Sequence, residues 1–270
     1  MNGVLTWASG EEFCHSGGFK AFLKSLRNID YSDVEVVFFT HDMPKDVEEH
    51  LRSKKYKVQK INPHEVTYPI GDRHLHYWEY LADHHYDLVL HTDCRDVVFQ
   101  SDPFFKLEEL YDKPVVVLMD EGMPPSASGF HMIEQHRFQE NIPKKDPREH
   151  PILNGGVILG TQYEIRSLFL ALWTFHIRIS PNVTDQAALN YLYHILSKDK
   201  CYKVSNPKKE DLCLTGEGLK DHFVQTDFQD GLFYHKTTCE PYAIVHQWDR
   251  SRFAKEVRSN YLFDTSLKYL

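Results

Sequence analysis

The first half of the chain alternates short apolar runs with longer amphipathic stretches, which is the pattern of β-strands connected by helices. Five apolar runs predict strands, at residues 4–8, 34–40, 57–61, 88–92 and 115–119. Three amphipathic stretches predict helices, at residues 16–26, 45–53 and 72–85, with Ser16 as the N-cap of the first. Strands that alternate with helices predict a mostly parallel sheet that is covered on both faces.

The second half of the chain is less regular. A strand is predicted at residues 156–159, helices at 166–179 and 185–196 (with Thr184 as an N-cap), and strand-like pieces at 211–214, 232–235 and 242–246. The proline-rich segment 121–151 is too long for an ordinary connection, so we expect a functional or mobile loop there. We expect the tail, 251–270, to wrap the surface. The whole pattern predicts a single α/β domain, 1–270, with a central sheet flanked by helices and a smaller mixed C-terminal part.

Composition and charge argue against several classes of protein. Hydrophobic residues make up 41% of the 270 residues, enough for a sizeable core, and the net charge of -8 disfavours a nucleic-acid-binding protein. No apolar run approaches the ~18 residues of a membrane-spanning helix, and the first residues lack the basic and apolar regions of a signal peptide. The five cysteines include no C-x-x-C pair, which disfavours a disulfide framework or a zinc knuckle. We therefore expect a cytoplasmic protein.

A cluster of charge follows the strand predicted at 88–92, in the stretch YDLVLHTDCRDVVFQSDPF. Asp93 and Asp96 lie at the carboxyl end of this strand, where open α/β sheets bind their ligands. Two carboxylates this close repel each other unless a cation separates them, and Mg²⁺ or Mn²⁺ takes oxygen ligands of this kind. Alternatively, Asp96 pairs with Arg95 on the surface and Asp93 caps a turn.

Three further motifs follow in the sequence, PILNGGVILGT (151–161), TDQAALN (184–190) and YAIVHQWDR (242–250). In the first, Gly155 and Gly156 allow close approach of a ligand to the backbone, and Asn154 offers both a donor and an acceptor. A simpler interpretation of each motif remains open. The glycines fit a tight turn before a strand, Asp185 fits a carboxylate favoured by the helix dipole, and His246 fits a structural histidine.

Taken in order, the four motifs resemble those of metal-dependent nucleotide-sugar glycosyltransferases of the GT-A fold, with the layout of glycogenin-like and lipopolysaccharide galactosyltransferase-like enzymes. The resemblance extends over about residues 3 to 250. The Asp-x-Asp motif of the family is stretched here by one residue, to Asp93-Cys-Arg-Asp96. The resemblance implies a GT-A (Rossmann-like) fold and transfer of a sugar from a nucleotide diphosphate sugar to an acceptor hydroxyl, on a glycan or glycoconjugate.

The resemblance also assigns roles to individual residues. It implies that Asp93, Asp96 and His246 bind Mn²⁺ or Mg²⁺, with Asp93 also near the ribose. It places the donor, UDP-sugar in preference to GDP-sugar, against Thr6, Ala8, Arg73, Asn154, Gly155, Gly156 and Arg250. Residues 1–120 are then the nucleotide-binding half and 121–270 the sugar- and acceptor-binding half.

Two routes remain open for the proton of the acceptor. In an inverting enzyme Asp185 is the candidate base, with Glu121 or Glu217 behind it. In a retaining enzyme the leaving phosphate takes the proton, and Asp185 orients the sugar or the acceptor.

Two other functions are compatible with the same carboxylates. One is a metal-dependent nucleotidyltransferase or phosphohydrolase, although the glycine-rich signature with a lysine near the first strand is absent. The other is a non-catalytic sugar-binding module on a degenerate transferase fold, which metal-dependent hydrolysis of the donor would exclude.

Overall fold

The structure is a computed structural model that describes residues 1–30, 32–112, 116–122, 152–179, 184–193, 202–215 and 226–262. Most of the loop predicted at 121–151 therefore lies outside the described residues. So do Glu217, the tail beyond residue 262 and the end of the helix predicted at 185–196.

Seven strands form the main sheet: β1 (Asn2–Trp7), β2 (Val34–Thr40), β3 (Lys57–Lys60), β4 (Leu88–Thr92), β6 (Val116–Asp120), β7 (Leu153–Thr161) and β8 (Tyr202–Ser205). Their order across the sheet is β3-β2-β1-β4-β7-β6-β8. All neighbouring pairs are parallel except those of β7, which runs antiparallel to both β4 and β6. The predicted mostly parallel sheet is confirmed.

The described residues contain eight α-helices, namely α1 (Glu11–Cys14), α2 (Gly17–Ser25), α3 (Lys45–Ser53), α4 (Pro69–Asp83), α5 (Pro103–Leu110), α6 (Gln162–Ile179), α7 (Asp185–Tyr191) and α8 (Ala254–Leu262). Both predicted N-caps are confirmed: the hydroxyl groups of Ser16 and Thr184 accept hydrogen bonds from the amides three residues later. Among these helices, none combines the length and the hydrophobicity that a bilayer crossing requires.

Alternating residues of the strands fill two separate cores on opposite faces of the sheet. On β2, Phe38 packs with Phe22 of α2 on one face, whereas Phe39 packs with Tyr77 of α4 on the other. Helices α3 and α5 join the first core, and α6 and α7 join the second. Because both faces are buried, the strands read as continuous apolar runs in the sequence.

A smaller sheet lies beside the main one and consists of β5 (Val97–Phe99), β12 (Ile244–His246) and β9 (Cys213–Leu214). The central strand β12 is antiparallel to β5, so His246 pairs with Val97. Gln100 joins this sheet to the hairpin of β10 (Thr226–Gln229) and β11 (Leu232–His235), because its side chain bonds to Phe233 and Tyr242 backbone groups. This pairing brings a residue from late in the chain next to the charged cluster after β4.

Candidate functional site

The turn from Asp93 to Asp96 is fixed at three points. The Asp93 amide donates to the carbonyl of Gly156 on β7 (2.7 Å), and the Gln247 amide donates to the carbonyl of Asp96 (2.6 Å). Between them, the thiol of Cys94 is buried and donates to the carbonyl of Trp7 (3.1 Å). The two carboxylates therefore project from a backbone that three different strands or their ends hold in place.

Asp93, Asp96 and His246 form a compact group, whose possible ligand atoms all lie within 4.8 Å of one another. His246 Nε2 is 3.7 Å from Asp93 Oδ2 and 3.5 Å from Asp96 Oδ1. Both ring nitrogens of His246 are buried without a hydrogen bond to any described residue. A buried nitrogen with no partner beside two carboxylates fits a divalent cation, so the residues present suit the metal site predicted from the sequence.

The charges of this group depend on one another. Burial alone would raise the pKa of Asp96, but the neighbouring charge of His246 outweighs it, so the pKa of Asp96 is lowered. Burial alone would lower the pKa of His246, but the carboxylates of Asp96 and Asp93 outweigh it, so the pKa of His246 is raised. The protein thus keeps carboxylate anions here that attract a cation, whether that is a proton on His246 or a metal ion.

Gly156 leaves room for Asp93, Asp96 and His246, which together are called the metal group because they suit a cation. A Cβ atom built at this position would lie 2.6 Å from Asp93 Oδ2 and 2.6 Å from His246 Cε1. The alternative of a tight turn before the strand does not hold, since Asn154, Gly155 and Gly156 lie within β7. The register between β6 and β7 shifts here: Leu118 pairs with Ile158, but Met119 pairs with Asn154. Gly156 lies against the acidic turn because the regular β4–β7 pairing, which ends with Thr92 opposite Val157, continues with the bond from the Asp93 amide to the Gly156 carbonyl.

Arg73 connects the metal group to Asp185. Its guanidinium donates to Asp93 Oδ1 (2.7 Å) and to Asp185 Oδ2, which also lies 3.3 Å from His74 Nε2. Burial raises the pKa of Asp185, but the positive charge of Arg73 and the contact with His74 outweigh it, so the net pKa is lowered. The helix that was predicted to begin at residue 72 begins at Pro69, so Arg73 lies in its second turn and not at its N-terminus.

Asn154 belongs to a buried network of hydrogen bonds behind Gly156. Its side chain is fully buried, donates to Glu121 Oε1 (2.9 Å) and accepts from the amide of Gly156 (2.8 Å). Glu121 also accepts from the side chain of Gln186 (3.1 Å), and a Cβ atom at Gly155 would lie 3.1 Å from Gln186 Cα. Glu121 therefore holds Asn154 and Gln186 together, while Gly156 alone of the three predicted β7 residues borders the cavity.

The group of Asp93, Asp96 and His246 opens onto a cavity of about 320 Å³, which Arg73, Asp185 and Gly156 also line. Trp7, at the end of β1, and Phe13, from α1, supply part of its apolar wall, together with Pro69 and Ile70. The predicted contacts Thr6 and Ala8 are fully buried and do not line it. Successive side chains of a strand point to opposite faces, so Trp7, between them, faces the cavity instead. The alternation of side-chain directions along the predicted strand, with Trp7 opposite in direction to Thr6 and Ala8, is the sequence signal that indicates Trp7 as the lining residue.

Two exposed guanidinium groups, of Arg95 and Arg250, border the same cavity. Within the described residues, no carboxylate lies at ion-pair distance from either of them. The alternative pair of Arg95 with Asp96 therefore does not form, and Arg250 does not pair with the neighbouring Asp249. Both charges nevertheless help to lower the pKa of Asp96. Arg250 was expected at the site from the sequence, whereas Arg95 was not assigned a role there.

Comparison with known proteins identifies the fold but not a close relative. No protein-family profile matches the sequence, and no curated protein matches it. Among solved structures, an active-site mutant of LgtC is 15% identical with a TM-score of 0.60, and the match covers 100% of both chains. A complex of the galactosyltransferase LgtC with donor and acceptor sugar analogs has a TM-score of 0.57 at the same identity and coverage.

Two longer glycosyltransferases also match over all of this chain. The bifunctional WbbM is 13% identical with a TM-score of 0.60, and the match covers 51% of its length. GlyE of Streptococcus pneumoniae is 16% identical with a TM-score of 0.54, and the match covers 63% of its length. These matches show that the chain has the GT-A fold that the sequence motifs implied.

Proposed function

We propose that this protein is a glycosyltransferase that moves a sugar from a nucleotide diphosphate sugar, with UDP-sugar favoured over GDP-sugar, to an acceptor hydroxyl on a glycan or glycoconjugate. The observation that carries the proposal is the group of Asp93, Asp96 and His246, which faces a cavity bordered by exposed arginines in a chain of GT-A fold. LgtC, of the same fold, has been solved with donor and acceptor sugar analogs, which supports the same kind of substrates here.

The donor is proposed to lie along the cavity with its base towards Trp7 and Phe13 and its sugar towards Gly156. Residues 1–120 then supply the nucleotide side and residues 121–270 the sugar and acceptor side. Trp7 takes the base contact that the sequence assigned to Thr6 and Ala8, since their side chains are buried. Asn154 and Gly155 lie behind Gly156 and fix the backbone against which the sugar is proposed to bind.

Asp93, Asp96 and His246 would hold Mn²⁺ or Mg²⁺, which when bound neutralises the negative charge that develops on the two phosphates. Arg250 borders the same cavity, its charge acts on Asp96, and it adds electrostatic stabilisation to the departing diphosphate. Arg73 keeps Asp93 oriented, because one of its guanidinium nitrogens holds the carboxylate oxygen that does not face His246. The chain thus presents a fixed arrangement of charge before the donor arrives.

The transfer breaks the bond between the anomeric carbon and the diphosphate oxygen, and the electron pair leaves with the diphosphate. The acceptor oxygen bonds to the anomeric carbon and loses its proton. Asp185 is a weak base for that proton, since Arg73 and His74 hold its carboxylate and its pKa is lowered. We therefore propose that the leaving phosphate takes the proton and that Asp185 orients the sugar or acceptor, as in a retaining enzyme.

The configuration of the product tests this assignment. Nuclear magnetic resonance of the fresh product is expected to show the same anomeric configuration as the donor. An inverted product would contradict it and would return the role of base to Asp185, Glu121 or Glu217.

The donor is identified by calorimetric titration of a panel of UDP- and GDP-sugars, each with Mn²⁺ and with EDTA. Binding of one nucleotide sugar is expected with Mn²⁺ and a loss of at least about tenfold in affinity is expected with EDTA, since the phosphates are bound through the metal group. If a folded sample binds none of them, the transferase proposal is wrong, and metal-dependent phosphohydrolysis or a non-catalytic module becomes the better interpretation.

A further inference from the structure

We propose that Arg95 is a donor-binding residue that contacts the diphosphate of the nucleotide sugar; this inference rests on the proposed function. Two residues separate Asp93 from Asp96, and they point in opposite directions. Cys94 is buried and bonds to the carbonyl of Trp7, whereas Arg95 is exposed and borders the cavity. The spacing of the two acids therefore leaves room in the turn for an arginine that borders the cavity beside the two candidate metal ligands.

The backbone of Arg95 is held in a fixed position. A Cβ atom built at Gly18, in the first turn of α2, would lie 2.0 Å from the carbonyl oxygen of Arg95 and 3.3 Å from its Cγ. Gly18 thus lets α2 pack directly against the backbone and the first part of the side chain of Arg95. Asp93 and Asp96 on either side are held by bonds to Gly156 and Gln247. The backbone and the first side-chain carbons of Arg95 therefore have restricted conformational freedom, which reduces the conformational entropy that is lost when a ligand binds.

The charge of Arg95 is available to a ligand. Of the guanidinium groups that border the cavity, that of Arg73 is buried and already donates to Asp93 and Asp185. Arg95 and Arg250 are exposed, and neither has a carboxylate at ion-pair distance among the residues that the structure describes. Two available guanidinium groups beside a metal group match the two phosphates of a nucleotide sugar, because guanidinium binds phosphate through paired hydrogen bonds.

The balance of charge supports a diphosphate as the partner. Three carboxylates and three guanidinium groups line the cavity: Asp93, Asp96, Asp185, Arg73, Arg95 and Arg250. A divalent cation would leave an excess of two positive charges, which equals one charge for each phosphate of a nucleotide sugar. Without Arg95 the excess is a single charge, and one phosphate is not neutralised.

The test compares the wild-type protein with Arg95→Met and Arg95→Lys in calorimetric titrations with UDP and GDP, and with UMP and GMP, all with Mn²⁺. Arg27→Met is the matched control, since Arg27 is exposed but does not border the cavity. Arg95→Met is expected to weaken binding of the nucleoside diphosphate by about tenfold, which corresponds to about one charge-assisted hydrogen bond. Binding of the monophosphate should fall less, and Arg27→Met should change nothing. Arg95→Lys should recover only part of the affinity, because an ammonium group keeps the charge but cannot make the paired hydrogen bonds.

The salt dependence separates a charge contact from a structural effect. Raising the ionic strength weakens attraction between charges at the surface, so Arg95→Met should show a smaller decrease of diphosphate affinity with added salt than the wild type. Equal diphosphate affinity in Arg95→Met and the wild type would overturn the assignment. So would a change confined to the KM of the acceptor, which would place Arg95 in the acceptor site. If the wild type binds no nucleoside diphosphate, the proposed function itself fails, and this inference fails with it.

Discussion

Replacing Asp96 by asparagine is expected to lower metal-dependent turnover by about a thousandfold, or about 4 kcal/mol of transition-state stabilisation, while the fold is preserved. Asparagine has nearly the same shape, but it removes one of the two anionic ligands from the metal group. The measurement is release of the nucleoside diphosphate from the donor that the panel identifies, over a range of Mn²⁺ concentrations. Turnover should not recover at high Mn²⁺, because the lost charge also affects the bound transition state.

The apo form of the same variant should be somewhat less stable than the wild type. Asp96 is buried 3.5 Å from His246, and its lowered pKa means that the fold favours its charged form, which asparagine cannot provide. Asp112→Asn is the control, since Asp112 is exposed and does not border the cavity. If EDTA stops turnover of the wild type but Asp96→Asn turns over normally, Asp96 is not a ligand of the metal ion.

Replacing Arg73 by methionine is expected to destabilise the protein by about 3–5 kcal/mol, because it leaves a buried carboxylate without its guanidinium partner. Asp185 is buried, and its other polar contacts are His74 Nε2 at 3.3 Å and the backbone amide of Gln186 at 2.8 Å. Unfolding in urea, followed by tryptophan fluorescence, measures the loss. The double variant Arg73→Met with Asp185→Asn should recover a large part of this stability, since neither buried charge then remains. Equal stability of the single and the double variant would show that the pair contributes through packing alone.

The same pair predicts how stability depends on pH. The pKa of Asp185 is lowered in the folded protein, whereas that of an unfolded chain is about 4. The stabilisation is therefore complete above about pH 4 and is lost as the pH falls through the lowered folded value. Urea titrations between pH 6 and pH 2 should show a smaller loss of stability for Asp185→Asn than for the wild type. Parallel curves for the two proteins would contradict the assigned ion pair.

The elements of the main sheet were largely predictable, because the apolar runs of buried strands are long and their connecting helices are amphipathic. The antiparallel direction of β7 was not, since a strand buried on both faces reads the same in either direction. The short strand β5 was missed because its three residues continue the apolar segment after the acids. Helix α5 was also missed, although Asp102 followed by Pro103 is a recognisable helix start.

The candidate site was predicted through its motifs rather than through its geometry. Asp93, Asp96 and His246 come together as the resemblance implied. The bond from Arg73 to Asp185 joins positions 112 residues apart, and no local pattern in the sequence indicates it. The buried side chain of Asn154 looked like a ligand contact because an amide has the same hydrogen-bonding groups whether it serves a substrate or the backbone. Burial, which distinguishes the two, is a property of the folded chain.

The position of β12 between β5 and β9 determines when the metal group can assemble. Its two acids are made early in the chain and its histidine about 150 residues later, at the point where β12 pairs with β5. During synthesis, which proceeds from the N-terminus, β1 to β4 are complete well before this histidine leaves the ribosome. Contacts at such separation form slowly, because a long loop must close first. The group of Asp93, Asp96 and His246 therefore cannot close on the nascent chain before β12 is inserted.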